Sequence, residues 1–97
     1  MAKPHLVTAS PVDRAVVHGT TLVVTLRFDR DLDPVRGRMM LLEASGPPQL
    51  VMVPPPQDPR VLTASIPVVP GAYTVLWQAS DKDDKAADGT LHVVVQP

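Results

Sequence analysis

The stretch Thr21-Leu22-Val23-Val24-Thr25-Leu26-Arg27-Phe28 decides the fold. Leu22, Val24, Leu26 and Phe28 fall on one face, while Thr25 and Arg27 point the other way. Successive strand side chains alternate between faces, so this period of two with β-branched enrichment is a half-buried strand. Gly71-Ala72-Tyr73-Thr74-Val75-Leu76-Trp77 repeats the pattern with Tyr73, Val75 and Trp77 together. Gly89-Thr90-Leu91-His92-Val93-Val94-Val95 does so again with Leu91, Val93 and Val95 inward. Phe28, Tyr73, Val75, Trp77, Leu91 and Val93 are therefore expected in one core.

Weaker strands are expected at residues 5–9, 38–43, 49–53 and 60–66. Turn signals separate them: Pro11, His18-Gly19, Asp33-Pro34, Ser45-Gly46-Pro47-Pro48, Pro54-Pro55-Pro56, Pro67, Pro70-Gly71 and Asp88-Gly89. The 12 prolines leave no room for a helix longer than two turns. The Pro-rich stretch 47–59 reads as a rigid loop flanking a short edge strand, because proline cannot donate to a ladder. The expected fold is all-β: an immunoglobulin-like Greek-key β-sandwich of about seven short antiparallel strands.

The chain of 97 residues makes one domain, since domains mostly run from about 50 to 250 residues. Residues 1–4 read as an expression start or leader remnant ahead of it. Nine basic and ten acidic side chains leave a net charge of −1, which offers neither the basic stripe nucleic acid needs nor a polybasic membrane anchor. Phe28, Tyr73 and Trp77 are the only aromatics, too few for a base-stacking platform. No apolar run approaches the roughly 20 residues of a spanning helix. Without cysteine there is no disulfide, thiolate zinc site or cysteine nucleophile.

Nor is there a catalytic constellation. A nucleophile needs a base and an orienting group, and no motif surrounds Ser10, Ser45, Ser65 or Ser80. Paired carboxylates occur only in polar loops, and no Gly-rich loop cradles phosphate. The chain reads as a non-enzyme.

Two stretches resemble the CopC family of copper-binding domains. The first is His5-Leu6-Val7-Thr8-Ala9-Ser10-Pro11, followed by the strand from Leu22 to Phe28 and by Asp29. The second is Pro70-Gly71-Ala72-Tyr73-Thr74-Val75-Leu76-Trp77, followed by Asp83, Gly89 and the valine-rich last strand. The middle, residues 34–69, matches only in rhythm. The resemblance implies a periplasmic or other extracytoplasmic domain of a copper resistance or homeostasis system. Its partners would be the copper ion and a membrane or periplasmic copper-handling protein. It also implies a Cu(II) site built from an amino-terminal histidine (amine and imidazole), an aspartate, and a second histidine two residues after it. Such nitrogen and oxygen donors suit the tetragonal preference of Cu(II).

His5 matches the first ligand position and Asp83 the second. The third is Lys85, whose ammonium has no lone pair and repels a dication; it could pair with Asp83 instead. His5 also follows four residues, so its nitrogen is an amide, and Pro4 blocks a chelate through deprotonated amides. Some family members carry a methionine-rich Cu(I) segment. Here Met39 and Met40 are adjacent and must point to opposite faces, so with Met52 they read as core and edge packing. Asp81-Lys82-Asp83-Asp84-Lys85 otherwise reads as a solvated acidic loop, His92 as an outward strand residue and His18 as a turn residue. The rival readings are a non-metal immunoglobulin-like structural or protein-interaction module, and an unrelated bacterial immunoglobulin-like module from a longer surface protein.

Overall fold

Eight strands alternate with loops: β1 (Leu6–Ser10), β2 (Ala15–His18), β3 (Thr21–Phe28), β4 (Arg38–Glu43), β5 (Gln49–Val51), β6 (Val61–Pro67), β7 (Gly71–Ser80) and β8 (Ala86–Gln96). The computed structural model describes residues 3–43 and 46–97. Met1, Ala2 and the Ser45 of the expected turn lie outside the described residues. No helix occurs among the described residues.

The strands form two sheets, β1-β3-β6 and β2-β8-β7-β4-β5. The chain passes from one sheet to the other after β1, β2, β3, β5 and β6, which is the immunoglobulin-like Greek-key sandwich expected. The expectation of about seven antiparallel strands needs one correction. Residues 15–18, where no strand was expected, form an eighth strand, β2. It pairs in parallel with β8, Val16 opposite Val94 and Val17 opposite Val95. A parallel pair needs a long crossover, here almost the whole chain, so nothing local announces it. β5 sits at the edge of the larger sheet, with prolines on both sides, as expected of the stretch 47–59.

The core lies between the sheets. Leu22, Val24, Leu26 and Phe28 of β3 face Tyr73, Val75 and Trp77 of β7 and Leu91 and Val93 of β8, all buried. Tyr73 opens β7 just after the loop from β6. Its hydroxyl donates to the Val69 carbonyl at 2.8 Å and accepts from the Val69 N–H at 3.2 Å. This is the tyrosine corner of immunoglobulin-like folds.

Trp77 ties both sheets together. Its ring meets Phe28 of the opposite sheet edge-on, centroids 5.4 Å apart and planes at 68°, an arrangement favoured by the ring quadrupoles. On its own sheet Trp77 lies opposite Gly89. A Cβ on Gly89 would come within 2.8 Å of the indole Nε1, so the glycine is required by close approach of the ring. Replacing Trp77 by alanine is expected to cost about 3–5 kcal/mol, measured by urea or thermal unfolding; a nearly unchanged midpoint would remove Trp77 from this role.

Candidate metal centre

The two expected ligands, His5 and Asp83, belong to segments of different sheets, His5 just ahead of β1 and Asp83 between β7 and β8. β1 runs antiparallel to β3 with Leu6 opposite Phe28, and this register sets His5 beside Asp29. The Asp29 N–H donates to the His5 carbonyl at 3.1 Å, and the His5 N–H donates to Asp29 Oδ1 at 3.0 Å. The imidazole Nδ1 lies 3.4 Å from Asp29 Oδ2, with the His5 side chain 63% exposed. Pro4, just ahead, is fully buried. The His5 N–H, aided by the Arg30 guanidinium, holds the Asp29 carboxyl below the usual aspartate range against partial desolvation.

Asp83 lies at the tip of the β7–β8 hairpin. The ladder closes with Ser80 opposite Ala86, leaving residues 81–85 to turn. The Asp81 N–H donates to the Lys85 carbonyl at 2.8 Å. Asp81 Oδ1 accepts the N–H groups of Asp83 and Lys85, both at 2.9 Å. This is a side chain taking the place of backbone partners in a turn. Asp84 completes the turn with a φ of 64°, a left-handed conformation that aspartate tolerates better than most residues.

The reading of 81–85 as a solvated loop is corrected at Asp81, whose residue exposure is only 5%. The connection from β3 to β4 covers it: Leu32 bridges to Asp81, and the Asp33 N–H donates to the Ser80 carbonyl at 2.8 Å. Burial of a carboxylate is tolerated when it is hydrogen-bonded and paired, and Asp81 is both.

The two halves meet through Arg30. Its Nε lies 3.2 Å from Asp29 Oδ1 and its Nη1 3.9 Å from Asp81 Oδ2. His5, Asp29, Arg30, Asp81 and the Asp83 amide thus form one connected path across the end of the sandwich. A second arginine of the same connection, Arg36, pairs with Asp84 and lies 3.5 Å from Asp33. The Asp84 carboxylate raises the Arg36 guanidinium further above its usual range. Lys85 forms no ion pair with Asp83 among the described residues, and Asp83 is exposed.

For a metal, this donor set is sparse. Among the described residues no three His, Asp or Glu side chains gather into a metal-holding group. The His5 imidazole faces Asp29, and the Asp83 carboxylate lies on the exposed loop, linked to His5 through Asp29, Arg30 and Asp81. The sequence reading passed over Arg30 and, though it noted Asp29 after the Phe28 strand and Asp81 in the acidic loop, gave neither a part in the site. The burial of Asp81 had no local signal.

The other histidines lie elsewhere. His92 points outward from β8, and its N–H and Nδ1 lie 2.7 and 3.1 Å from Asp13 Oδ1. His18 ends β2 and is exposed. Met39 is buried, Met40 lies on the opposite face of β4, and Met52 is 86% exposed, so these methionines do not line one site.

Comparison with known proteins agrees with the fold. The model of the CopC domain family matches residues 6–96, beginning just after His5. Among solved structures, CopC from Methylosinus trichosporium OB3b superposes with a TM-score of 0.81 at 28% identity, covering 97% of this chain and 94% of that one. PcoC, a methionine-rich copper resistance protein from Escherichia coli, gives 0.73 at 23% identity, covering 98% and 100%. The titin M3 domain shares the fold at 0.56 and 13% identity, with full coverage of both chains. No curated protein matches the chain by sequence.

The lowered Asp29 carboxyl fixes the sign of one pH effect. A carboxylate depressed on folding contributes stability that is fully present above its unfolded value and lost as pH falls through its folded value. The tie between His5 and Asp29 should therefore hold at mildly acidic pH and release only below the ordinary aspartate range. A carbon-detected NMR titration of the Asp29 carboxyl should show a midpoint below that range. A midpoint within or above it would contradict the hydrogen bond from His5.

Proposed function

This chain belongs to the CopC domain family, and on that premise we propose that it is a copper-binding or copper-carrying domain that works in the periplasm or another extracytoplasmic space. Its role is to hold an ion, and its partners are copper itself and a membrane or periplasmic copper-handling protein. No helix among the described residues is long and apolar enough to cross a membrane. Copper is cargo here, and the bound form proposed is Cu(II).

One observation carries the reading: His5 and the loop bearing Asp83 belong to segments joined through Asp29, Arg30 and Asp81. His5 supplies an imidazole nitrogen and Asp83 a carboxylate oxygen. Two donors leave the tetragonal plane of Cu(II) half filled, with water completing it. Lys85 occupies the position where the family's second histidine is expected and adds a like charge. Binding is therefore weaker than a full ligand set would give.

A second reading has its own support. Lys85, together with the absence of a three-ligand group among the described residues, fits a sandwich of this lineage that has given up metal and contacts a protein partner. Titration with Cu(II), by calorimetry or electron paramagnetic resonance, separates the two. Wild type should bind weakly, His5→Ala should abolish binding, and Lys85→His should tighten it about tenfold or more by exchanging a repelling charge for a nitrogen donor. Binding should also weaken on acidification, because an imidazolium cannot coordinate. Copper uptake indifferent to His5→Ala and to Lys85→His would contradict a site at His5 and Asp83, and no uptake by wild type or Lys85→His would favour the metal-free reading.

A further inference from the structure

We propose that Arg30 is a built-in cation that assembles the copper end of the domain without metal and, by its charge, opposes metal binding there. The first half stands on geometry alone; the second rests on the copper reading above.

Arg30 touches an aspartate on either side. On one side is Asp29, whose Oδ1 accepts both the His5 N–H and the Arg30 Nε–H. On the other is Asp81, 93% buried at its side chain. Asp81 receives the Asp83 and Lys85 amides on Oδ1 and turns Oδ2 toward Arg30. The same residue therefore neutralises the carboxylate that holds the amino-terminal segment and the carboxylate that shapes the hairpin loop.

A metal ion bound between two segments does this work by bridging donors from both. Here a guanidinium does it. Its planar, multi-donor geometry suits two carboxylates approaching from different directions, and its charge is permanent. Arg30 is only one-third exposed at its side chain, 32%, so its interactions are less screened than those of a free surface pair. Arg36 acts in parallel at Asp84. The loop carries Asp81, Asp83 and Asp84 against Lys82 and Lys85. With Arg30 on Asp81 and Arg36 on Asp84, a dication entering at Asp83 meets little uncompensated negative charge.

Arg30 is a positioning residue in this account, and two variants separate its charge from its geometry. Arg30→Gln removes the charge; Arg30→Lys keeps it but loses the two-sided fork. In metal-free protein, amide hydrogen exchange at Asp83 and Lys85 reports the loop directly. Arg30→Gln should speed both amides by about two- to fivefold, with exchange in the β3 and β7 core unchanged. In a Cu(II) titration, Arg30→Gln should bind about threefold or more tighter than wild type, while Arg30→Lys stays near wild type.

Unchanged exchange at Asp83 and Lys85 in Arg30→Gln overturns the clamp. Copper binding no tighter in Arg30→Gln, or equally tighter in Arg30→Lys, overturns the charge opposition. Failure of the copper reading itself shows separately, as a titration insensitive to His5→Ala, and leaves the metal-free exchange result to decide the clamp.

Discussion

The contact between Phe28 and Trp77 is the constraint on which this end of the molecule depends. The two rings meet edge-to-face across the sandwich and fix the separation of β3 and β7 near their ends. Asp29 and Arg30 leave directly from Phe28, and Ser80 and Asp81 follow shortly after Trp77. The polar residues of the candidate site therefore hang from two strands pinned by one aromatic pair. Gly89 belongs to the same device, because only a residue without a side chain leaves room for the indole above β8. A packing interaction deep in the core thus sets the geometry of an exposed polar cluster.

Electrostatics completes that cluster. Four aspartates, Asp29, Asp33, Asp81 and Asp84, are each matched with Arg30 or Arg36 from a single connection between the sheets. Pairs at the surface contribute little singly, but Asp81 is buried and would be costly to leave unpaired. The connection between β3 and β4 is accordingly a cover for the hairpin loop as well as a link. It also bears on the proposed function: the neighbourhood where copper would sit is already supplied with positive charge, and Asp83 is the loop carboxylate without a matching cation among the described residues.

Much of the fold was legible in the chain because alternation is a local signal. β3, β7 and β8 follow from runs of period two, and Phe28, Tyr73, Val75, Trp77, Leu91 and Val93 are all buried where alternation puts them. β7 and β8 extend beyond those runs, to Ser80 and from Ala86, so the acidic loop is shorter than its composition suggests. β2 was not legible: four residues paired in parallel with the far end of the chain carry no periodicity to count. The candidate site divides the same way. His5 and Asp83 stand out through family resemblance, and Lys85 through departure from it. Asp81 looks like any acidic loop residue until Leu32 and Arg30 arrive from the connection between β3 and β4. Tertiary contacts decide its burial, and no short window of sequence contains them.

On the proposed function, His5 and the hairpin loop form one copper end, distinct from the other histidines. The most direct measurement adds substoichiometric Cu(II) to isotope-labelled protein and follows paramagnetic broadening of each amide resonance. The account predicts joint broadening at His5, Asp29 and residues 83–85, with His92, Asp13 and His18 spared. Broadening centred on His92 and Asp13, or confined to His5 with the loop unaffected, would contradict it.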